Sequence, residues 1–265
     1  MRVRVRALAA ATVLVLAATS VAAQERTLTE RHPLRLGDAF AVGLGEGSVL
    51  AAGGVTVPRH GAAQGFFPLD VLYSPLPRVQ FSVGAELNTD PRATDDPASG
   101  DLTLAGRLNF GPPTSFLPSF ATQLAATLPT GVGARAVDLE AKGYATRELT
   151  LGEIVLFLHL NASADVRATE LGDDERRLRY HLAAGPSFTL PRLAALTLAG
   201  DVFVDQARRR GETETVGAEI GARYRLSPTL VFDAGVGTEW AGPRDRAAFF
   251  ALVGLSWSFT TTQKP

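Results

Sequence analysis

The chain alternates. Along residues 215–226 one parity reads Val216, Ala218, Ile220, Ala222, Tyr224 and Leu226, and the other reads Thr215, Gly217, Glu219, Gly221, Arg223 and Arg225. A period of two with one apolar and one polar face is a strand between two different media. The same pattern predicts strands at 48–57, 67–74, 79–87, 100–110, 119–129, 137–147, 153–166, 178–190, 196–207, 213–226, 230–240 and 246–260. That makes twelve, with ten and fourteen as the neighbouring even counts. Most are about the length that crosses a bilayer at a tilt.

The connections also alternate. Short ones carry Pro75-Leu76-Pro77, Pro112-Pro113, Glu148 to Gly152, Pro191-Arg192 and Ser227-Pro228-Thr229. Longer ones, richer in charge or glycine, fall at 58–66, 88–99, 130–136, 167–177, 208–212 and 241–245. Short periplasmic turns and longer external loops are the arrangement of an outer-membrane barrel. The expected fold class is therefore all-β: one closed antiparallel transmembrane β-barrel over 47–260, after an N-terminal periplasmic segment at 24–46 and before a tail at 261–265. On the apolar parity, Tyr73, Phe81, Phe110, Phe120, Phe188, Tyr224, Phe232, Trp257 and Phe259 fall at one set of strand ends, and Phe67, Tyr180, Trp240 and Phe249 at the other. Two aromatic girdles are what the two membrane interfaces select.

The first residues change the picture in a second way. Arg2, Arg4 and Arg6 precede an apolar run from Ala7 to Ser20 and the small residues Val21-Ala22-Ala23. This is the layout of a signal peptide over 1–23, which implies export. Later stretches lack the continuous apolar length of a membrane helix, so a membrane form would cross with strands. Without the three signal arginines, 23 of the 26 basic residues remain against 27 acids. That balance gives no reason to expect nucleic acid as a partner. The sequence has no cysteine, which excludes thiol and zinc–thiolate chemistry.

Three segments, Leu124 to Gly133 (LAATLPTGVG), Tyr224 to Gly237 (YRLSPTLVFDAGVG) and Gly254 to Phe259 (GLSWSF), carry a resemblance. The chain resembles the outer-membrane family named for the MetA (meta-) pathway of phenol degradation, whose members are described as transporters. The resemblance implies a barrel and passage of small molecules, often aromatic or apolar compounds. It implies no catalytic residues. The last strand resembles a barrel assembly signal in ending on an aromatic, but Thr260 to Pro265 follow Phe259.

Candidate chemistry lies on the polar parity. Its acids are Asp70, Glu86, Asp101, Asp138, Glu140, Asp165, Asp201, Asp205, Glu219, Asp233 and Glu239, and its bases Arg107, Lys142, Arg179, Arg223 and Arg225. The candidate lumen lining that would set selectivity is Glu86, Asp101, Arg107, His159, Asp165, Arg179, His181, Asp201, Glu219, Arg223, Arg225 and Asp233. A barrel between the filled eight-stranded and open sixteen-stranded sizes has a constricted lumen. If that lumen is open, Arg223→Ala alters ion selectivity; if it is dry, the same change is a folding defect.

His159, Asn161, Ser163 and Asp165 share one strand face and contain the residue types of a hydrolytic triad. Outer-membrane phospholipase A also places His and Ser two apart on a strand, but facing lipid. Here the neighbours Leu156, Leu158, Leu160 and Ala162 face out, and residues two apart sit about 7 Å from each other, too far for a direct His–Ser hydrogen bond. His181 is expected to pair with Asp165 as a structural contact. The Gly-x-Ser-x-Gly, His-Glu-x-x-His and phosphate-loop motifs are missing. The acidic runs Asp95-Asp96 and Asp173-Asp174-Glu175 read as solvated loop tips, and Gly43-Leu-Gly-Glu-Gly as flexible backbone.

The expected function is passive passage of small molecules, with no cofactor, metal or catalytic residue. The alternatives are a structural or surface-adhesion barrel and, third, a lipid hydrolase. Expected partners are outer-membrane lipid, the barrel-assembly machinery and an unspecified small-molecule solute.

Overall fold

The computed structural model describes residues 34–89, 100–110, 117–132, 137–168 and 174–261. The signal peptide, Pro112-Pro113, Asp95-Asp96, Asp173 and most of the 88–99 loop lie outside the described residues.

Twelve strands close into a single antiparallel barrel. They are β1 (Glu46–Pro58), β2 (Gln64–Leu76), β3 (Val79–Asn88), β4 (Leu102–Asn109), β5 (Ser119–Leu128), β6 (Asp138–Leu151), β7 (Ile154–Arg167), β8 (Leu178–Leu190), β9 (Leu193–Asp205), β10 (Thr215–Arg225), β11 (Leu230–Ala241) and β12 (Ala247–Thr260). Each strand pairs with its sequence neighbours, and β12 returns to pair with β1 from Glu46↔Thr260 to Pro58↔Ala247. Closure leaves no edge strand, so the backbone polar groups of the wall are paired around the whole ring.

Two ends are distinct. The turn end carries the two-residue connections after β2, β6 and β8, and both ends of the barrel segment. The loop end carries six connections of five to thirteen residues, and the turn-end connection after β4, at nine residues, is as long as several of them. Several boundaries differ from expectation, by up to four residues. Strand β6 continues through Glu148 to Leu151, because the reversal falls on Gly152-Glu153, where Gly152 takes φ +64°. Strand β9 begins at Leu193 instead of 196, since Pro191 and Arg192 alone make the turn.

The barrel is inverted relative to a water-soluble fold. Leu124 and Ile220 point outward at 65 % and 66 % exposure, in a belt that includes Leu69, Val83, Leu160, Val202 and Val253. Phe67, Phe81, Phe110, Tyr224, Trp240 and Trp257 are also exposed. The interior holds Lys142, Asn161, Asp201, Glu219, Arg223 and Asp233, all buried. A continuous apolar belt of this extent is far larger than a monomer in water tolerates, and it suits hydrocarbon. Among the described residues no helix is long and apolar enough to cross a membrane.

The largest departure from the sequence reading is the segment before β1. The stretch 24–46 is expected outside the barrel, yet its described part, from Leu34 to Val42, lies within it. Leu34, Leu36 and Ala39 are among the most buried apolar residues of the molecule. Leu34 and Leu36 cluster with Ala183, Ala199 and Phe203 of the wall, and Ala39 clusters with Ala121 and Tyr144. The glycine run at 43–47 makes the reversal that joins this segment to the wall. Gly45 takes φ +72°, Glu46 N–H donates to the Gly43 carbonyl (2.9 Å), and the Glu46 carboxylate accepts from Gly43 N–H (2.9 Å). That run is a defined turn, not loose backbone. Only a residue free of a Cβ adopts the Gly45 conformation without strain.

Candidate functional site

A chain crossing a barrel lumen has no ladder to join, so its backbone polar groups need other partners. The lumen side chains supply them, beginning at the turn end. Val42 N–H donates to Gln80 of β3 (3.3 Å), and Ala39 N–H donates to the Thr146 hydroxyl of β6 (2.9 Å). Asn109 of β4 donates to the Ala39 carbonyl. Arg107 donates to the carbonyls of Asp38 (3.3 Å) and Phe40 (3.2 Å), and its guanidinium lies 4.1 Å over the Tyr144 ring. Gly37 passes so close to Tyr144 that a Cβ there would meet the ring at 2.9 Å.

Further in, Arg35 reaches an acidic wall formed by β9, β10 and β11. Its backbone N–H donates to Glu219 (2.8 Å), and its Nε lies 3.0 Å from the other oxygen of the same carboxylate. Its Nη1 pairs with Asp205 and its Nη2 with Glu239 (3.4 Å). The guanidinium carbon lies 4.2 Å from the centre of the Phe203 ring and 5.4 Å from that of Phe250.

The expected lumen residues separate into several groups. Asp201 and Glu219 face each other across β9 and β10 in the acidic wall. Asp165 and Arg179 are register partners and pair at 2.8 Å, next to the Asp138–Arg167 pair at 3.0 Å, near the loop end. His181 does not pair with Asp165 as expected. Its Nδ1 contacts Asp205, which lies directly opposite it on β9. Asp101, just before β4, accepts from Gly131 N–H (2.9 Å), and Glu86 is half-buried near the loop end of β3. Arg225 lies at the turn-end rim, where it donates to the Ala194 carbonyl (2.9 Å).

Arg223 and Asp233 are register partners at the turn end and share a two-pronged contact, 2.7 Å at Nε and 3.4 Å at Nη2. Ser256 donates to Oδ2 of the same carboxylate (2.9 Å), the oxygen that Nη2 also approaches. Arg223 is 5 % exposed and Asp233 0 %. This triad is the dry arrangement of the two weighed from sequence.

The hydrolytic residue types meet differently from their spacing along β7. His159 contacts Ser187 of β8 (Nε2 to Oγ, 2.8 Å), not Ser163, and its Nδ1 faces the Thr146 hydroxyl (3.1 Å). A nucleophilic serine needs a base oriented by a third group, usually a carboxylate. Here the third group is a threonine already engaged with Ala39 N–H, and Ser187 is buried. The contacts tie the segment to the wall. Among the described residues no group of three or more His, Asp or Glu side chains could hold a metal ion.

Sequence reasoning missed Arg35 and the polar residues that hold its segment: Gln80, Asn109 and Thr146. The signal was present in Leu34-Arg35-Leu36, two leucines in a stretch otherwise assigned to water.

No protein-family model matches this sequence, and no curated protein does. Solved structures match in fold. The COG4313 outer membrane channel from Pseudomonas putida F1 superposes with a TM-score of 0.60 at 16 % identity, over 84 % of this chain and 98 % of that one. The NanC porin gives 0.57 at 11 % identity, over 79 % and 98 %. The KdgM porin gives 0.53 at 10 % identity, over 80 % and 99 %.

Proposed function

We propose that this protein is an outer-membrane channel for small molecules, with a lumen narrowed by its own N-terminal segment. The observation that carries the reading is the inverted barrel itself, with an apolar belt outside and a charged interior crossed by a segment held mainly through side chains. A segment held this way can leave without breaking a strand ladder. The similar barrels of known structure are channels and porins, which supports the same reading. The export signal expected at 1–23 fits the location, with the turn end in the periplasm and the loop end outside. Aromatic and apolar compounds are the solutes suggested by the family resemblance.

Swelling of proteoliposomes in small neutral solutes tests the proposal. The full chain should admit the smallest solutes only, and a variant lacking residues 34–42 should admit larger ones faster. A correctly folded deletion variant that swells no faster than empty liposomes would overturn the channel and favour a structural barrel, the reading to which the Arg223–Asp233–Ser256 triad belongs.

A further inference from the structure

Arg35 belongs to the inserted segment, yet its guanidinium has the surroundings of a bound ligand. Asp205, Glu219 and Glu239 engage it at its edges, and the Phe203 and Phe250 rings, 6.5 Å apart and tilted by 55° to each other, lie beside it. The wall carries more acid than this one cation uses. Asp201 stands opposite Glu219 in the register and is 5 % exposed, and neither of its carboxylate oxygens has a hydrogen-bond partner among the described residues. A buried carboxylate without a hydrogen-bond partner is costly, and Asp201 is near enough to Arg35 for its charge to act on that cation without bonding it.

The ring seats belong to the wall as well. Gly217 is the register partner of Phe203, and Gly237 of Phe250. A Cβ on either glycine would run into the ring it faces, so the tip of each ring sits over glycine. The cage is therefore a feature of β9 to β12. A planar cation gripped at its edges by carboxylates, with the Phe203 ring over it and the tilted Phe250 ring beside that one, fits a guanidinium, which stacks and pairs at once, better than a compact, strongly hydrated ammonium.

We propose that Asp201, Asp205, Glu219 and Glu239, with Phe203 and Phe250, form a binding site for small organic cations bearing a guanidinium or amidinium group. Arg35 occupies this site as an internal ligand that such a solute replaces. The proposal rests on the channel reading, but binding is measured apart from conduction.

The test is calorimetric titration of methylguanidinium into the detergent-folded full chain, Arg35→Ala, and Arg35→Ala carrying Asp201→Asn and Glu219→Gln. Arg35→Ala should bind at least about tenfold more tightly than the unsubstituted chain, because the internal competitor is gone. The two neutralising changes should reverse that gain by about tenfold or more. Failure of Arg35→Ala to bind, binding unmoved by the neutralising changes, or methylammonium binding as tightly would each overturn the proposal. If Arg35→Ala does not fold alone, refolding rescued by millimolar methylguanidinium supports the cage, and equal rescue by sodium chloride overturns it. Binding without any conductance would keep the cage and remove the channel.

Discussion

Arg223 illustrates what a single charge does inside this barrel. Its carboxylate partner Asp233 is fully buried and also accepts from Ser256, so removing the guanidinium leaves a desolvated charge with one weak donor. Arg223→Ala is expected to lower stability by about 3–5 kcal/mol, the cost of breaking a buried pair from one side. Urea unfolding followed by heat-modifiable gel migration reads it. Arg225→Ala, at the rim and bonded only to a carbonyl, is expected to change stability by less than about 1 kcal/mol. Sequence parity placed these residues on the inner side without showing their partners. His181 illustrates why. It stands opposite both Ser163 and Asp205, while Asp165 stands opposite Arg179. Those pairings follow from register, which turn geometry sets and alternation alone does not.

At the scale of the element, each strand has one exposed apolar face and one face toward the barrel interior, and the two are expected to tolerate change differently. Ala222 lies on the outer face of β10 between Ile220 and Tyr224, both exposed. Ala222→Arg is expected to impair folding into lipid bilayers, with a cost of about 2–4 kcal/mol if the site is near mid-membrane. Folding yield in liposomes measures it. The direction of the strands is also testable. A cysteine introduced at Gly211, in the β9–β10 connection, should take an impermeant maleimide on intact cells, and one at Pro228, in the β10–β11 turn, should not. Labelling at Pro228 alone would turn the barrel over. All twelve strands were legible because every one repeats the same two-faced pattern. The inserted segment was not. It is short, it pairs with no strand, and the lumen side chains that hold it lie far away in sequence, such as Gln80, Arg107 and Thr146.

For the whole molecule, the arrangement joins a strand-paired wall to an inserted segment held through side chains. The wall is paired around its full circumference, from β1 through β12 and back. The segment is held by side-chain hydrogen bonds, the guanidiniums of Arg35 and Arg107, and two small apolar clusters. Elements held by few backbone bonds are those that open at the lowest free energy. Ala41 lies between the Phe40 and Val42 contacts near the turn end and is half-buried. The chain has no cysteine, so Ala41→Cys provides one thiol on the segment itself. The most direct test is single-channel recording of this variant in a planar bilayer while a small charged methanethiosulfonate reagent is added. The account predicts a stepwise change in conductance as the thiol reacts, and no change for Ile220→Cys on the lipid face. A conducting barrel in which Ala41→Cys reacts without altering the current, or reacts only after heat unfolding, would contradict it.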